Sequence, residues 1–439
     1  MFKETSKELL NFLSKSPTAF HAVENYRQIL NADGFKELLE SEHWDIVPGG
    51  KYYVTRNNTS ILAFKVGTKL DNYSFNIVTS HTDSPTFKVK ENAEIEVKNK
   101  YTQLNTEGYG GMLCATWLDR PLSIAGRVLV SEGNSIVTKL LNIDRDLLMI
   151  PNVAIHMNRA ANDGFKYNLQ VDMLPLLSGG DDRQKDFKQI IADELGVKKE
   201  DILGHDLYLY NRMAPSIWGA NEEFISAGHL DDLQCGFASL KALLAGYNDE
   251  SIDIMACFDN EEVGSGTKQG ADSTLLRDTL IRINNALGKT EEDYHRALAS
   301  SFMLSADNAH AVHPNHPEHT DVTNCTYMNE GVVVKSHAGQ KYTSDAVSIA
   351  VFKMICEKAG VPVQFIANRS DEAGGSTLGN LAMAQVSMNT VDIGLPQLAM
   401  HSSYETAGIK DTYYAISLMK ALFDSHIQET STHSLEIKR

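Results

Sequence analysis

The sequence predicts an α/β fold that is interrupted by a β-rich block. Apolar runs typical of buried strands, such as Ile252–Phe258, alternate with helical patterns such as 233–247. Between residues 89 and 226 the pattern changes to short alternating segments and glycine-rich turns, which indicate paired strands. We therefore expect a discontinuous α/β domain formed by residues 1–88 and 227–439, with an inserted β-rich domain at residues 89–226.

Composition and charge narrow the class of protein. The chain has 439 residues, which favours two domains, and its hydrophobic content of 42% is typical of a soluble globular protein. A formal net charge of −17 disfavours nucleic acid or an anionic membrane as a partner. The five cysteines form no Cys-x-x-Cys pair and indicate free thiols in a reducing compartment. With no signal-peptide pattern and no apolar run of about 20 residues, we expect a cytoplasmic protein.

The first part of the predicted α/β domain is expected to be two helices followed by a hairpin. Apolar side chains recur at helical spacing within 5–32, and Ser16-Pro17 marks a break between two helices. The strands Tyr52–Thr55 and Ile61–Val66 flank turn residues. Later elements are predicted as strands at 332–334, 361–367 and 390–394 and as helices at 344–358 and 411–423.

Candidate metal ligands follow apolar strands or open a helix at separate places along the chain. In α/β folds the ends of strands converge on one crevice, so we expect these side chains to meet. Two histidines and three carboxylates suit a pair of divalent ions such as Zn²⁺, Mn²⁺ or Co²⁺, provided that one carboxylate bridges. The set contains no thiolate, which favours a catalytic site over a closed structural one. The five residues are His81 after Phe75–Ser80, Asp231 before helix 233–247, Glu262 after Ile252–Phe258, Asp307 after Phe302–Ala306, and His401 after Thr390–Gly394.

Two further acids lie beside these candidate ligands. Asp83, two residues after His81, is placed to hold the other nitrogen of that imidazole. Glu261 directly precedes Glu262 and is placed to act as a general base on a water. Taken alone, the Glu-Glu pair would be a solvated turn; the other ligands favour metal-assisted hydrolysis.

A histidine-rich loop follows Asp307. Pro314 and Pro317 interrupt it and exclude a helix, so we predict a shaped loop and not an amphipathic ligand face. The histidines are His310, His313, His316 and His319.

These motifs together resemble the M18 aminopeptidases, the aspartyl-aminopeptidase-like group. The resemblance spans nearly the whole chain in the expected order. The matching segments are Ser80-His81-Thr82-Asp83-Ser84-Pro85, Leu230-Asp231, Asp259-Asn260-Glu261-Glu262-Val263-Gly264-Ser265, Ser305-Ala306-Asp307 with His310-Ala311-Val312-His313-Pro314-Asn315, and Pro396-Gln397-Leu398-Ala399-Met400-His401-Ser402.

The resemblance implies roles for these residues. One ion would be held by His81, Asp231 and Asp307, and the second by Asp231, Glu262 and His401. Glu261 matches the general base of the family and Asp83 its supporting acid. Family members carry an inserted dimerisation domain and assemble as tetrahedral dodecamers, in which a histidine from the insert reaches the active site of a neighbouring subunit. His156, in the polar segment Ile155–Arg159, matches that histidine, although alone it would be a structural histidine.

The prediction is a three-layer α/β/α metallopeptidase domain with a mixed sheet, plus an inserted β-rich dimerisation domain. We expect a dinuclear metalloaminopeptidase, most simply with two Zn²⁺ ions, that removes the N-terminal residue from peptides. Co²⁺ and Mn²⁺ are the other candidate ions. Two alternatives stay open: a related dinuclear amidohydrolase such as a deacylase, and a catalytically dead oligomeric scaffold.

Overall fold

The computed structural model describes residues 1–180, 186–372, 374–432 and 434–438; residues 181–185 of the predicted insert lie outside this part. The helices of the described chain are α1 (Phe2–Ser14), α2 (Ala19–Ala32), α3 (Phe187–Leu195), α4 (Leu230–Ala245), α5 (Leu275–Ala286), α6 (Glu291–Ala299), α7 (Ala346–Ala359), α8 (Leu378–Gln385) and α9 (Asp411–Phe423). None of these helices is long and apolar enough to cross a membrane.

The strands of the same residues form four sheets. They are β1 (Lys36–Glu37), β2 (Lys51–Arg56), β3 (Ser60–Val66), β4 (Ser74–His81), β5 (Thr86–Val97), β6 (Tyr101–Tyr109), β7 (Leu122–Glu132), β8 (Ser135–Asn142), β9 (Leu176–Gly179), β10 (Ile202–Asn211), β11 (Ser216–Trp218), β12 (Phe224–Ala227), β13 (Ser251–Phe258), β14 (Phe302–Ala306), β15 (Ala309–His310), β16 (Val332–Lys335), β17 (Val363–Ile366), β18 (Asn389–Gly394), β19 (Pro396–Leu398), β20 (Glu405–Gly408), β21 (His426–Ser431) and β22 (Ser434–Lys438).

A mixed nine-stranded sheet forms the middle layer, in the order β1-β2-β3-β13-β4-β14-β18-β16-β17. Its central strands β13, β4, β14 and β18 are parallel, whereas β3 and β16 pair antiparallel with the outer members of that group. Because parallel strands point the same way, the residues that follow β4, β13 and β14 emerge at one edge of the sheet.

Helices cover both faces of this sheet. Side chains alternate along a strand, so Met255 and Cys257 of β13 pack into the core beside α1, α2, α4, α7 and α9. Ile254 and Phe258 point the other way, into the core beside α5, α6 and α8. The predicted three-layer α/β/α arrangement with a mixed sheet is therefore present.

Two further sheets lie outside this sandwich. A six-stranded sheet, β8-β7-β10-β5-β6-β9, is antiparallel and has its own apolar core, which includes Phe87, Val128 and Leu207. Its strands fall between residues 86 and 211; the predicted domain boundaries at 89 and 226 stay a prediction. A five-stranded sheet, β11-β12-β20-β19-β15, lies next to the start of α4 and carries the turn that contains His401.

The core of the sandwich offers a direct test of this packing. Phe352 on α7 is 0% exposed, whereas Met354 on the same helix is 49% exposed. Phe352→Ala is expected to lower the free energy of unfolding by about 3–5 kcal/mol, because lost burial and the new cavity add. Met354→Ala should cost less than about 0.5 kcal/mol. Urea unfolding at a fixed protein concentration measures both, and equal losses would contradict the assigned faces of α7.

Candidate metal centre

Three of the predicted ligands emerge from neighbouring parallel strands. His81 is the last residue of β4, and Asp307 directly follows β14. After β13 the chain turns at Asn260, whose φ is 61°, and Glu261–Val263 form one turn of 3-10 helix. This turn brings Glu261 and Glu262 back over the edge of the sheet, beside His81.

The other two ligands are held by a single carboxylate. Asp231 lies at the start of α4 with non-helical backbone (φ −82°, ψ 109°), and His401 has a φ of 67° in the turn between β19 and β20. The backbone N–H of Asp231 donates to Oε2 of Glu405 at 3.0 Å, and that of His401 donates to Oε1 at 2.8 Å. Glu405 therefore positions both ligands through their main chains.

The ligand side chains meet around Asp231. His81 Nε2 lies 3.5 Å from Oδ1 of Asp231, and His401 Nε2 lies 3.5 Å from Oδ2. His401 Nε2 is also 3.4 Å from Oε2 of Glu262. Two sets of ligand atoms, each within 4.8 Å of one another, share Asp231: His81 with Asp307, and Glu262 with His401. Each oxygen of Asp231 thus faces a different histidine.

Main-chain carbonyls fix the orientation of both imidazoles. Nδ1 of His81 lies 3.1 Å from the carbonyl oxygen of Asp83, and Nδ1 of His401 lies 2.9 Å from that of Gly111. A carbonyl oxygen only accepts, so each Nδ1 carries a proton and each Nε2 is the nitrogen left to bind an ion. Both Nε2 atoms face Asp231.

Asp83 contacts the site in more ways than the sequence indicated. Oδ1 of its carboxylate lies 3.4 Å from Nδ1 of His81, whereas the main-chain carbonyl oxygen of Asp83 lies 3.1 Å from the same nitrogen. The same carboxylate accepts hydrogen bonds from the backbone N–H groups of Glu261 and Glu262, both at 3.2 Å. It therefore orients the Glu-Glu turn as well as the histidine.

A loop that leaves the six-stranded sheet completes this arrangement. Tyr109, at the end of β6, donates its hydroxyl proton to Oδ2 of Asp83 at 2.7 Å and accepts from Nδ2 of Asn260 at 2.8 Å. At the adjacent Gly110, with φ at +73°, a Cβ would lie 3.1 Å from Cβ of Glu262. This close approach, in a left-handed conformation, explains the glycine.

Burial and mutual repulsion control the charges in the site. Burial raises the pKa of Glu262 well above its usual range, and the nearby Asp231 carboxylate adds to this. Burial also raises the pKa of Asp307. At Asp231 burial also tends to raise the pKa, but contacts with His401 and His81 outweigh this effect and lower the pKa. For His401, burial lowers the pKa, but the charges of Asp231 and Glu262 outweigh this effect and raise the pKa to about 10.

The donors in this cluster fit divalent cations. Oδ1 of Asp231 and Oε1 of Glu262 are buried and have no hydrogen-bond partner in the described part of the chain. A buried carboxylate oxygen without a partner is costly, and a cation would offset that cost. Nitrogen and oxygen ligands without thiolate suit Zn²⁺, Co²⁺ or Mn²⁺.

A cavity of about 220 Å³ opens onto the cluster. Lys335, on its wall, is 5% exposed, and its Nζ lies 3.6 Å from Oδ1 of Asp307. Burial would lower the pKa of this lysine, but Asp307 and nearby groups raise it, so the side chain is a cation facing the site. The sequence did not predict Lys335, Tyr109 or Glu405 as site residues. For Lys335 the sequence does contain a signal, because a charged residue ends the otherwise apolar strand β16.

Of the predicted site residues, His156 lies outside the metal-ligand cluster and its cavity. It lies in an exposed turn, beside Met157, which is 85% exposed, and it does not line the cavity of its own chain.

Comparison with known proteins identifies the family. The family model described as "Aminopeptidase I zinc metalloprotease (M18)" matches residues 12–423. This chain belongs to the M18 family. A relative from Clostridium novyi (strain NT), named "Probable M18 family aminopeptidase 2", is 47% identical over 425 residues, which is 95% of this chain and 98% of the relative. The M18 chain is accordingly a metal-dependent aminopeptidase, a hydrolase of a family described as zinc metalloproteases.

Solved structures of M18 enzymes share the fold. Chaetomium thermophilum mApe1 superposes with a TM-score of 0.87 at 29% identity, covering 97% of this chain and 98% of its own. The S. cerevisiae mApe1 dodecamer gives a TM-score of 0.84 at 28% identity, covering 96% and 97%. The predicted family and fold class are both confirmed.

The role of Glu405 in holding two ligands can be tested directly. Glu405→Gln keeps the size of the side chain but turns an N–H₂ group towards one of the two backbone donors. We expect metal affinity to fall by about 10–100-fold, as is typical when a group that orients a ligand is changed. Metal content after dialysis against a weak chelator measures this. Glu429→Gln, at an exposed position on β21, is the control and should retain the metal; equal retention by both variants would contradict the assignment.

Proposed function

We propose that this M18 enzyme is a dinuclear aminopeptidase, with one ion held by His81, Asp231 and Asp307 and the other by Asp231, Glu262 and His401. The observation that carries the proposal is the position of Asp231, whose two oxygens face two different histidines 3.5 Å away. The family description supports zinc, and the two unpartnered buried oxygens support a cation at each side of Asp231. Bound there, two divalent ions would supply Lewis acidity towards a water and the scissile carbonyl.

Glu261 is the proposed general base. Its ligand atom lies within 4.8 Å of those of His81 and Glu262, so its carboxylate faces the same space. Burial and the charges of Asp307 and Asp83 raise its pKa to about 7, against the opposing effect of His81. A carboxylate with a pKa near the working pH can take a proton from water and later give it to the leaving amine. As the pH falls through that pKa the base is lost and the rate falls.

The proposed substrate is a peptide with a free amino terminus. The carboxylates of Glu261 and Glu262 line the cavity and would attract its ammonium group, and Asp83 lies next to them through hydrogen bonds to their backbones. The cavity of about 220 Å³ accommodates little beyond one end of a chain, which favours cleavage of a terminal residue over internal cleavage.

The proposed assembly is a homo-oligomer built from dimers, up to a dodecamer. A dodecamer of the relative S. cerevisiae mApe1 supports this. We propose that residues 89–226 mediate the dimer contact and that His156, exposed in its own chain, reaches the active site of a neighbouring subunit.

The two adjacent glutamates should respond differently to the same substitution. Glu261→Gln is expected to retain the metal but to lose about 10²–10⁴-fold in kcat, because it removes only the proton acceptor. Glu262→Gln should lose bound metal as well as activity. Aminopeptidase rates on a panel of aminoacyl substrates and metal content per chain separate the two variants; near-normal turnover by Glu261→Gln would exclude it as the base. Hydrolysis of N-acyl amino acids in preference to aminoacyl substrates would instead favour a deacylase.

The role of His156 across a subunit boundary can be tested by complementation. His156→Ala and Glu261→Gln chains are each expected to be nearly inactive. Co-expressed, they should recover activity, since the Glu261→Gln chain still supplies His156 to an intact site on its neighbour. Co-expression of His156→Ala with a chain carrying both substitutions is the control and should recover none. A stable monomer by light scattering, or no recovery in the first mixture, would contradict the proposal.

A further inference from the structure

The histidine-rich loop contains a second group of metal-type ligands, outside the catalytic cluster. His316, Glu318 and His319 each present one ligand atom, and these atoms lie within 4.8 Å of one another. The prolines exclude a regular helix, as predicted, yet one 3-10 turn at Pro317–His319 brings the three side chains together on the surface. We propose that this cluster, named here the surface site, binds a divalent ion of the Zn²⁺ or Ni²⁺ type.

Each imidazole of the surface site has one nitrogen placed to bind an ion. Nδ1 of His316 lies 3.0 Å from Oε1 of Glu318, so these two atoms can bind one ion when the proton of the imidazole is on Nε2. Nδ1 of His319 lies 2.9 Å from Oε1 of Glu372, which accepts a hydrogen bond from Nδ1–H and leaves Nε2 of His319 as a lone-pair donor. A carboxylate on the far nitrogen, as at His319, is the usual support of a metal-binding histidine.

The backbone of the loop is fixed before any ion arrives. The N–H of His316 donates to the carbonyl of His313 at 3.0 Å, and the hydroxyl of Thr320 donates to the carbonyl of Pro317 at 2.8 Å. From a separate segment, Nη1 of Arg369 donates to the carbonyl of Glu318 at 2.6 Å. Such contacts reduce the ordering cost of binding an ion.

The local charge also suits a cation. The carboxylates of Glu318 and Glu372 lie against the two imidazoles, and the positive charge of Arg369 beside the loop is offset by Asp371, which accepts hydrogen bonds from its Nε and Nη2 at 2.8 and 3.0 Å. Two imidazoles and one carboxylate leave a fourth position for water, which is an accepted coordination set for Zn²⁺. The side chains are 55–62% exposed, so an ion has direct access.

The position of the surface site suggests what the ion does. His310, at the start of the same loop, and Asn368, next to Arg369, both line the cavity of the catalytic cluster. An imidazole that binds a metal becomes a stronger donor through its other nitrogen, so an ion on His319 strengthens its hydrogen bond to Glu372. An ion at the surface site therefore strengthens the contact between residues 310–319 and residues 368–372, two segments that border the active-site cavity.

Equilibrium binding of Zn²⁺ to the metal-stripped full-length chain tests the site. The double variant His316→Ala/His319→Ala should bind one ion fewer per chain than the unaltered protein. His43→Ala is the matched control: His43 is also exposed and lies 3.7 Å from a carboxylate, on Asp45, but belongs to no three-ligand group of the described chain. It should bind the same number as the unaltered protein.

Two further measurements separate the surface site from the catalytic cluster. In a His401→Ala background the difference of one ion should persist, whatever number the catalytic cluster then binds. Glu372→Ala should weaken Zn²⁺ binding at the surface site about 10-fold without removing a ligand. Equal ion numbers for the double variant and the unaltered protein, or a loss of one ion also in His43→Ala, would overturn the proposal and leave the dinuclear assignment unaffected.

Discussion

The concentration of buried negative charge around Asp231 is the constraint on which the site depends. Asp231, Glu262 and Asp307 lie close together with little access to water, and the imidazoles of His81 and His401 offset only part of their charge. Buried carboxylates of this kind stay ionised only where hydrogen bonds and positive charges compensate them. The parallel strands β4, β13 and β14 and the carboxylate of Glu405 fix their positions.

The positions of the candidate ligands were predictable because they follow a simple pattern. His81, Glu262 and Asp307 come where long apolar runs end, and a polar residue at such a point is either solvated or functional. The different roles of Glu261 and Glu262 were inferred from their positions beside the other candidate ligands, and the family resemblance implies the same roles. Both roles stay predictions.

Other parts were not predictable, for physical reasons. Glu405 contacts Asp231 and His401 through their backbones, and an acceptor of main-chain hydrogen bonds has no sequence pattern of its own. Tyr109 reaches Asp83 across 26 positions by the path of a hairpin. The short strands of the five-stranded sheet were also missed, since segments as brief as β15, Ala309–His310, carry no detectable alternation.

The contact of Tyr109 and Gly110 with the catalytic cluster has a wider consequence. The loop after β6 belongs to the six-stranded sheet, yet it supplies a hydrogen bond to Asp83 and packs against Glu262. The surroundings of the Glu-Glu turn are therefore built by two sheets, not by the α/β sandwich alone. A displacement of Tyr109 would remove a hydrogen bond from the carboxylate that holds the backbone of Glu261 and Glu262, so the geometry of the turn depends on the outer sheet.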